Sequence, residues 1–184
     1  MASTTVPKLR VDIWSDVVCP WCYIGKRRFE RAVEQLEGEV ELDVHFRAYQ
    51  LDPTASPGKS APVVEAYARK FGGAEQAQAM IDRVTETAAG EGLEFRMDRA
   101  LRANTLLAHR LLWWADQPGS PIAQAALKDR LLQAYFTDGL DIGLPDTLAD
   151  CAAEVGADRE QVLAFLASDA GRDEVADDLA GAAD

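Results

Sequence analysis

Two short alternating runs flank one amphipathic stretch near the start of the chain, and this arrangement restricts the fold more than any other feature. In Leu9–Ser15, Leu9, Val11 and Ile13 alternate with Arg10 and Asp12. That period of two predicts a strand. In Val40–Arg47, Val40, Leu42, Val44 and Phe46 alternate with Glu41, Asp43, His45 and Arg47, which predicts a second, half-buried strand. Between them, from Pro20 to about Leu36, the residues Phe29, Ala32, Val33 and Leu36 recur at helical spacing opposite Lys26, Arg27, Arg31 and Glu34. Pro20 suits a first helical turn, where a missing N–H costs nothing, and Gly38 suits a helix end. A strand, a helix and a strand so close together form a β-α-β unit, whose right-handed crossover requires parallel strands.

The segment Ala48–Ala61 holds Pro53, Pro57 and Gly58 and reads as a loop and a subdomain boundary. Beyond it the pattern is helical. Helices are expected over Pro62–Phe71, Ala74–Ala89, Arg102–Asp116, Ser120–Phe136, Pro145–Val155, Asp158–Ala167 and Arg172–Ala180, with Leu93–Met97 as a short extended link. The expected fold class is therefore α/β, a small sheet start followed by a helical block. Residues 1–60 form the β-α-β unit, 61–168 the helical insertion and 169–184 the start of a return to the sheet.

With 19 basic and 31 acidic residues the net charge is −12, which argues against nucleic acid and anionic membrane as partners. No apolar run is long enough to span a bilayer, and the start, MASTTVPKLRVDIW, lacks a basic flank followed by an apolar stretch. The expected compartment is the cytoplasm. Three cysteines, Cys19, Cys22 and Cys151, are too few for a disulfide scaffold.

The sharpest chemical feature is Cys19-Pro20-Trp21-Cys22, directly after a strand and at the mouth of a helix. Unpaired N–H groups and the positive end of the helix dipole converge there and favour a thiolate. Cys19 is expected to attack or accept a mixed disulfide. Cys22, one turn further in and on the buried side, is expected to stay protonated until it resolves that bond. Pro20 and Trp21 set the local geometry. A zinc site would need four ligands, and only Cys151, His45 and His109 remain, none at paired spacing, so no metal is expected. A structural disulfide over so short a loop gains little entropy, and an inert pair is the remaining bland alternative.

The stretch DIWSDVVCPWCYIGKRRFE, together with FRAYQLDP, NTLLAHRLLWWA and AYFTDGLDIGLPDTLADCAAEVG, resembles the DsbA-like thioredoxin superfamily, specifically its FrnE-like cytoplasmic branch. The resemblance runs along essentially the whole chain. It implies a thioredoxin fold with a helical domain inserted after the second strand, and dithiol–disulfide oxidoreductase activity carried by Cys19 and Cys22. No bound cofactor is implied; glutathione or a dithiol protein serves as redox partner, with thiol or disulfide proteins or small molecules as substrates. A homodimer is left open. Without a histidine between the cysteines, the potential is expected to be less oxidising than that of periplasmic DsbA. Family members continue after the helical block with a cis-proline, two strands and a closing helix. The sequence as given stops at DDLAGAAD, about where that segment is expected to begin, and none of its prolines stands where the cis-proline would. The expectation is a truncated chain, or one completed by a partner, with the first strand as an open edge.

Two other functions fit the same outline. One is a glutathione-dependent isomerase acting on aromatic chromene carboxylates; relatives of that kind carry serine where Cys19 stands. The other is a truncated module that binds without turnover. Among weaker candidates, Asn104 and His109 lie on a helix that the resemblance places over the cleft and are expected to contact substrate, although a packed histidine is the blander account. Asp16 is expected either to assist proton transfer from Cys22 or to cap the loop. His45 is read as exposed, Cys151 as core packing, and the acidic end around Asp169–Asp178 as a solvated face.

Overall fold

A computed structural model describes residues 6–182 of the 184. Strand β1 (Lys8–Ser15) and strand β2 (Glu41–Ala48) pair in parallel, in register from Lys8 opposite Glu41 to Ser15 opposite Ala48. The period of two in both runs therefore marks one shared sheet face. Helix α1 (Pro20–Glu34) joins them, with Pro20 in its first turn. Among the described residues β1 pairs with β2 alone.

The buried face of α1 departs from the reading of its sequence. Tyr23 and Ile24, near its start, are buried, whereas Leu36 beyond its end is 39% exposed and Phe29 lines an open hollow with Val11, Ile13 and Phe46. The first turns pack under the rest of the molecule, and of the expected Phe29–Leu36 stripe Phe29 faces the sheet while Leu36 stays exposed. His45 also departs from expectation. It is half-buried, with Nδ1 2.9 Å from the Asp116 carboxylate.

After the loop following β2, a two-residue bridge pairs β3 (Ala61–Pro62) with β4 (Leu101–Arg102), antiparallel. Between them run α2 (Val63–Phe71) and α3 (Ala74–Gly90). Then follow α4 (Leu106–Ala115), α5 (Gln124–Gln133), a π-helical turn (Ala134–Asp138), α6 (Pro145–Glu154), α7 (Arg159–Ala167) and α8 (Arg172–Gly181). Arg102, expected to begin a helix, lies in β4 instead. The Leu93–Met97 link is not a strand; Phe95 and Met97 turn inward, and the Arg96 N–H donates to the Phe136 carbonyl at 2.6 Å.

One continuous apolar core joins α1 to these helices. Phe95 stacks on Phe136 with ring centroids 4.3 Å apart, and Tyr23 stacks on Phe95 at 5.9 Å. Leu111, Leu127, Leu131, Leu148 and Cys151 are fully enclosed, so Cys151 is the packing residue it was read to be. Trp113 and Trp114 both lie against Phe165 of α7. The acidic end is less solvated than its composition suggests: Asp178 of α8 accepts the Ala48 N–H at 3.1 Å, and its carbonyl accepts the Trp14 indole N–H at 2.9 Å.

Candidate active site

The β1–α1 turn places Cys19 at the N-cap of α1 with extended backbone, φ −89° and ψ 114°. Its carbonyl accepts the N–H groups of Cys22 at 3.1 Å and Tyr23 at 3.3 Å, which starts the helix directly beneath the motif. Pro20 is buried inside that first turn, while Trp21 turns outward, 43% exposed. The thiols are unbonded and lie within hydrogen-bonding reach of each other.

Burial reverses the expected order. Cys19 is the enclosed sulfur, 9% exposed, and Cys22 is half-buried, opening on the hollow beside Trp14 and Ser15. The two sulfurs are close enough for each to shift the other's proton. With a proton on Cys19, its S–H donates to Cys22 and draws Cys22 down to about 7, against the effect of burial and with help from Lys128. Cys19 is then pushed far above the ordinary thiol range, first by that bond and next by burial. The Cys22 N–H opposes these effects and lowers Cys19. The pair loses its first proton easily and its second with great difficulty.

Beneath the dithiol lies a polar cluster assembled from distant parts of the chain. Asp16, fully buried, accepts the N–H groups of Val17 and Leu51, both at 2.8 Å, and its Oδ1 lies 3.1 Å from His109 Nε2. Burial pushes its carboxyl up, but the His109 bond and charge and the Leu51 N–H outweigh that and leave it below the usual range. Its negative charge raises both sulfurs. Asp16 therefore caps the loop and also sets the field at the thiols. His109, 2% exposed, reaches this cluster rather than open solvent. Asn104 is occupied elsewhere: its Nδ2 donates to the Ala55 carbonyl at 2.8 Å and its Oδ1 accepts the Leu106 N–H at 3.0 Å, pinning the loop after β2 to the start of α4.

Lys128 escaped the reading of the sequence. It is 1% exposed, donates to the Ser15 carbonyl at 3.2 Å and stands 5.7 Å from the Phe46 ring centroid. Burial lowers it to about 8, against the pull of Asp16 and both sulfurs. A signal for it was present. Gln124, Leu127, Lys128 and Leu131 form one i, i+3, i+4, i+7 stripe, so a lysine stands among the apolar contacts of α5. Among the described residues no cluster of histidine, cysteine and carboxylate side chains could hold a metal ion.

A parallel β-α-β start, a two-cysteine turn at the first helix N-terminus and a buried acid below it define a thioredoxin-like protein. More closely, residues 10–184 match the model of the DSBA-like thioredoxin domain, and the chain belongs to that family. The structure is similar to that of a probable DsbA oxidoreductase from Streptomyces coelicolor, with a TM-score of 0.85 and 37% identity, covering 95% of this chain and 74% of that one. In sequence it is 27% identical to the uncharacterized protein YwbO of Bacillus subtilis over 159 residues, covering 82% of this chain and 68% of that protein. The cytosolic disulfide reductase DsbM of Pseudomonas aeruginosa, solved with GSH, shares the fold at a TM-score of 0.61 and 18% identity, covering 92% of this chain and 77% of that one. A 2-hydroxychromene-2-carboxylate isomerase shares it at 0.62 and 14%, covering 95% and 79%.

Proposed function

We propose that this protein is a thiol–disulfide oxidoreductase that exchanges disulfides through Cys19 and Cys22. The observation that carries the reading is the pair itself: two free thiols within mutual reach at the first turn of α1, which give up the first of their two protons at about 7. At neutral pH a large fraction of the pair is then a monoanion, the reactive form in thiol–disulfide exchange.

The Cys19 thiolate, with the remaining proton on Cys22, attacks one sulfur of a substrate disulfide. That S–S bond breaks, one substrate sulfur leaves as a thiolate and is protonated, and a mixed disulfide forms on Cys19. Cys22 then attacks Cys19, its proton passing to the departing substrate sulfur. The second substrate thiol departs and the protein holds a Cys19–Cys22 disulfide. Two electrons have passed from protein to substrate, and glutathione or a dithiol protein returns them. Pro20 holds the turn, Trp21 presents an exposed indole to the partner, and His109 positions Asp16. The family and the DsbM fold support this class of chemistry, and the cytoplasm is the compartment in which a reduced pair would be maintained. No helix among the described residues is long and apolar enough to cross a membrane.

Insulin reduction by dithiothreitol tests the reading. The wild type accelerates precipitation, Cys19→Ser abolishes the acceleration, and Cys22→Ser accumulates a mixed disulfide detectable by mass. A Cys19→Ser protein as active as the wild type overturns it. An isomerase of the chromene carboxylate type, which needs one sulfur at most, would be unaffected by Cys22→Ser.

A further inference from the structure

Between helices α4 and α8, beside the loop after β2, lies a recess of about 440 Å³ that neither cysteine lines. That volume lies within the range of small-molecule sites. From α8, Arg172, Val175, Ala176 and Leu179 face it at i, i+3, i+4 and i+7, a stripe about 10 Å long at the helical rise. Leu106, Leu107 and Arg110 face it from α4. Val175 is buried, whereas Ala176 beside it is exposed and too small to fill the space, and Leu106 stays 36% exposed. Asn104, which also lines the recess, uses its amide on the Ala55 carbonyl and the Leu106 N–H. No aromatic side chain among the described residues lines it, so nothing there stacks a planar ring. Two helical turns of leucine, valine and alanine fit a flexible hydrocarbon chain instead.

The charge of this recess is opposite to that of the molecule. Among the described residues no carboxylate lines it, although acidic residues outnumber basic ones 31 to 19. Two guanidinium groups do. Arg110 is 4% exposed and donates to the carbonyls of Ala170, Leu166, Phe165 and Ser168, and it has no ion-pair partner among the described residues. Four acceptors for five N–H donors leave one donor over. Burial and the Arg172 cation both push its pKa down. A buried cation beside a second cation, without a counter-charge of its own, is a costly arrangement that an anion relieves. Arg172 pairs with Asp169 at 3.1 Å, but the two side chains are 64% and 83% exposed, so a competing carboxylate displaces Asp169 at little cost. Asp173 and Glu174, in the same turn of α8, do not line the recess.

We infer that this recess binds a single-chain aliphatic carboxylate, such as dodecanoate, with its carboxylate at Arg172 and Arg110 and its chain along Leu106, Leu107, Ala176 and Leu179. The carboxylate takes the place of Asp169 at Arg172 and supplies the counter-charge that Arg110 lacks. The chain covers the aliphatic surface that α4 and α8 leave exposed. The site is independent of the dithiol reading, since it involves no covalent step and neither cysteine.

Calorimetric titration of the whole chain with octanoate, decanoate and dodecanoate, each below its micelle-forming concentration, tests it. Affinity is expected to rise roughly fourfold for each added methylene. Dodecyltrimethylammonium, with the same tail and the opposite charge, is expected to bind about tenfold more weakly than dodecanoate, or worse. Arg172→Gln is expected to weaken dodecanoate about fivefold. Ala176→Trp, which fills the recess from an exposed position, is expected to weaken it about tenfold or more. Both positions are exposed on α8, so both variants should keep the wild-type urea midpoint without ligand, and the chain-length and charge series needs neither of them. Cys19→Ser/Cys22→Ser is expected to bind dodecanoate as the wild type does. Equal binding of the two dodecyl ions, affinities unmoved by both α8 substitutions, or loss of binding in the double serine variant overturns the assignment; absence of dodecanoate binding to the wild type removes the site.

Discussion

His109 Nε2 lies 3.1 Å from Asp16 Oδ1, joining a helix of the second half of the chain to the turn that carries the dithiol. Both side chains are 1% exposed, so the bond is shielded from water. His109→Ala leaves a buried carboxylate with only its backbone donors and is expected to cost about 2–4 kcal/mol, read as a lower urea midpoint at unchanged m. His109→Gln, which keeps an N–H, should recover part of this. The Asp16 carboxyl is depressed in the fold, so its contribution is complete above the ordinary carboxylate range and is lost as pH falls through its folded value. The stability gap between wild type and Asp16→Asn should therefore be widest near neutrality and close in acid. A gap that widens in acid would refute this account of Asp16.

The coupling of the two thiols makes a countable prediction. Thiolate absorbance near 240 nm should rise by one sulfur around pH 7, the first ionisation of the pair. The next rise should come only with Cys151, which burial pushes up to about 11. Because the Asp16 charge raises both sulfurs, Asp16→Asn should move the first step to lower pH. Two thiolates appearing together below pH 9 would show that the sulfurs do not shift each other's protons.

The start of the molecule was legible because its information is local. Alternation gives β1 and β2, Pro20 marks the first turn of α1, and the parallel pairing follows from a helix between two strands. The dithiol was legible for the same reason, since four consecutive residues and one turn specify it. The groups beneath it were not. Asp16 and His109 are 93 positions apart, and only the packing of α4 against the turn joins them. Lys128 was hidden among the leucines of α5. The partial exposure of α1 was missed because the apolar stripe Phe29–Leu36 is identical in sequence whether or not something covers it. The π-helical turn at Ala134–Asp138 leaves no trace in the helical period that precedes it.

Gly171 begins α8 at φ +75°, and a Cβ there would stand 2.6 Å from the six-membered ring of Trp113. Two costs add: a left-handed backbone worth about 1 kcal/mol, and a clash with an indole held against Phe165 worth about 1–3 kcal/mol. Gly38, at φ +81° with open space around it, carries the first cost alone. Gly171→Ala should therefore lower stability by about 2–4 kcal/mol and Gly38→Ala by about 1 kcal/mol, measured by urea denaturation. Equal losses would mean that α8 shifts freely away from Trp113.

Lys128 is wholly buried and held at about 8, against 10.5 for a free lysine, chiefly by desolvation. Between those values the unfolded chain binds the proton and the folded one releases it, so this group makes stability rise with pH across that window. Lys128→Met removes the contribution. It should gain on the wild type most at pH 7 and least near pH 10.5, the difference between the two gaps amounting to about 3 kcal/mol. Taking the difference between the two proteins cancels the tyrosines and Cys151, which ionise at the alkaline end in both. A packing role alone would give a gap that ignores pH. The thiols supply the second readout: the Lys128 cation helps to draw Cys22 down, so in Lys128→Met the first thiolate should form above pH 7, and exchange at neutral pH should slow in proportion to the lost anion. A titration midpoint that stays at 7 in Lys128→Met would place the ammonium outside the field of the dithiol, whatever it does for stability.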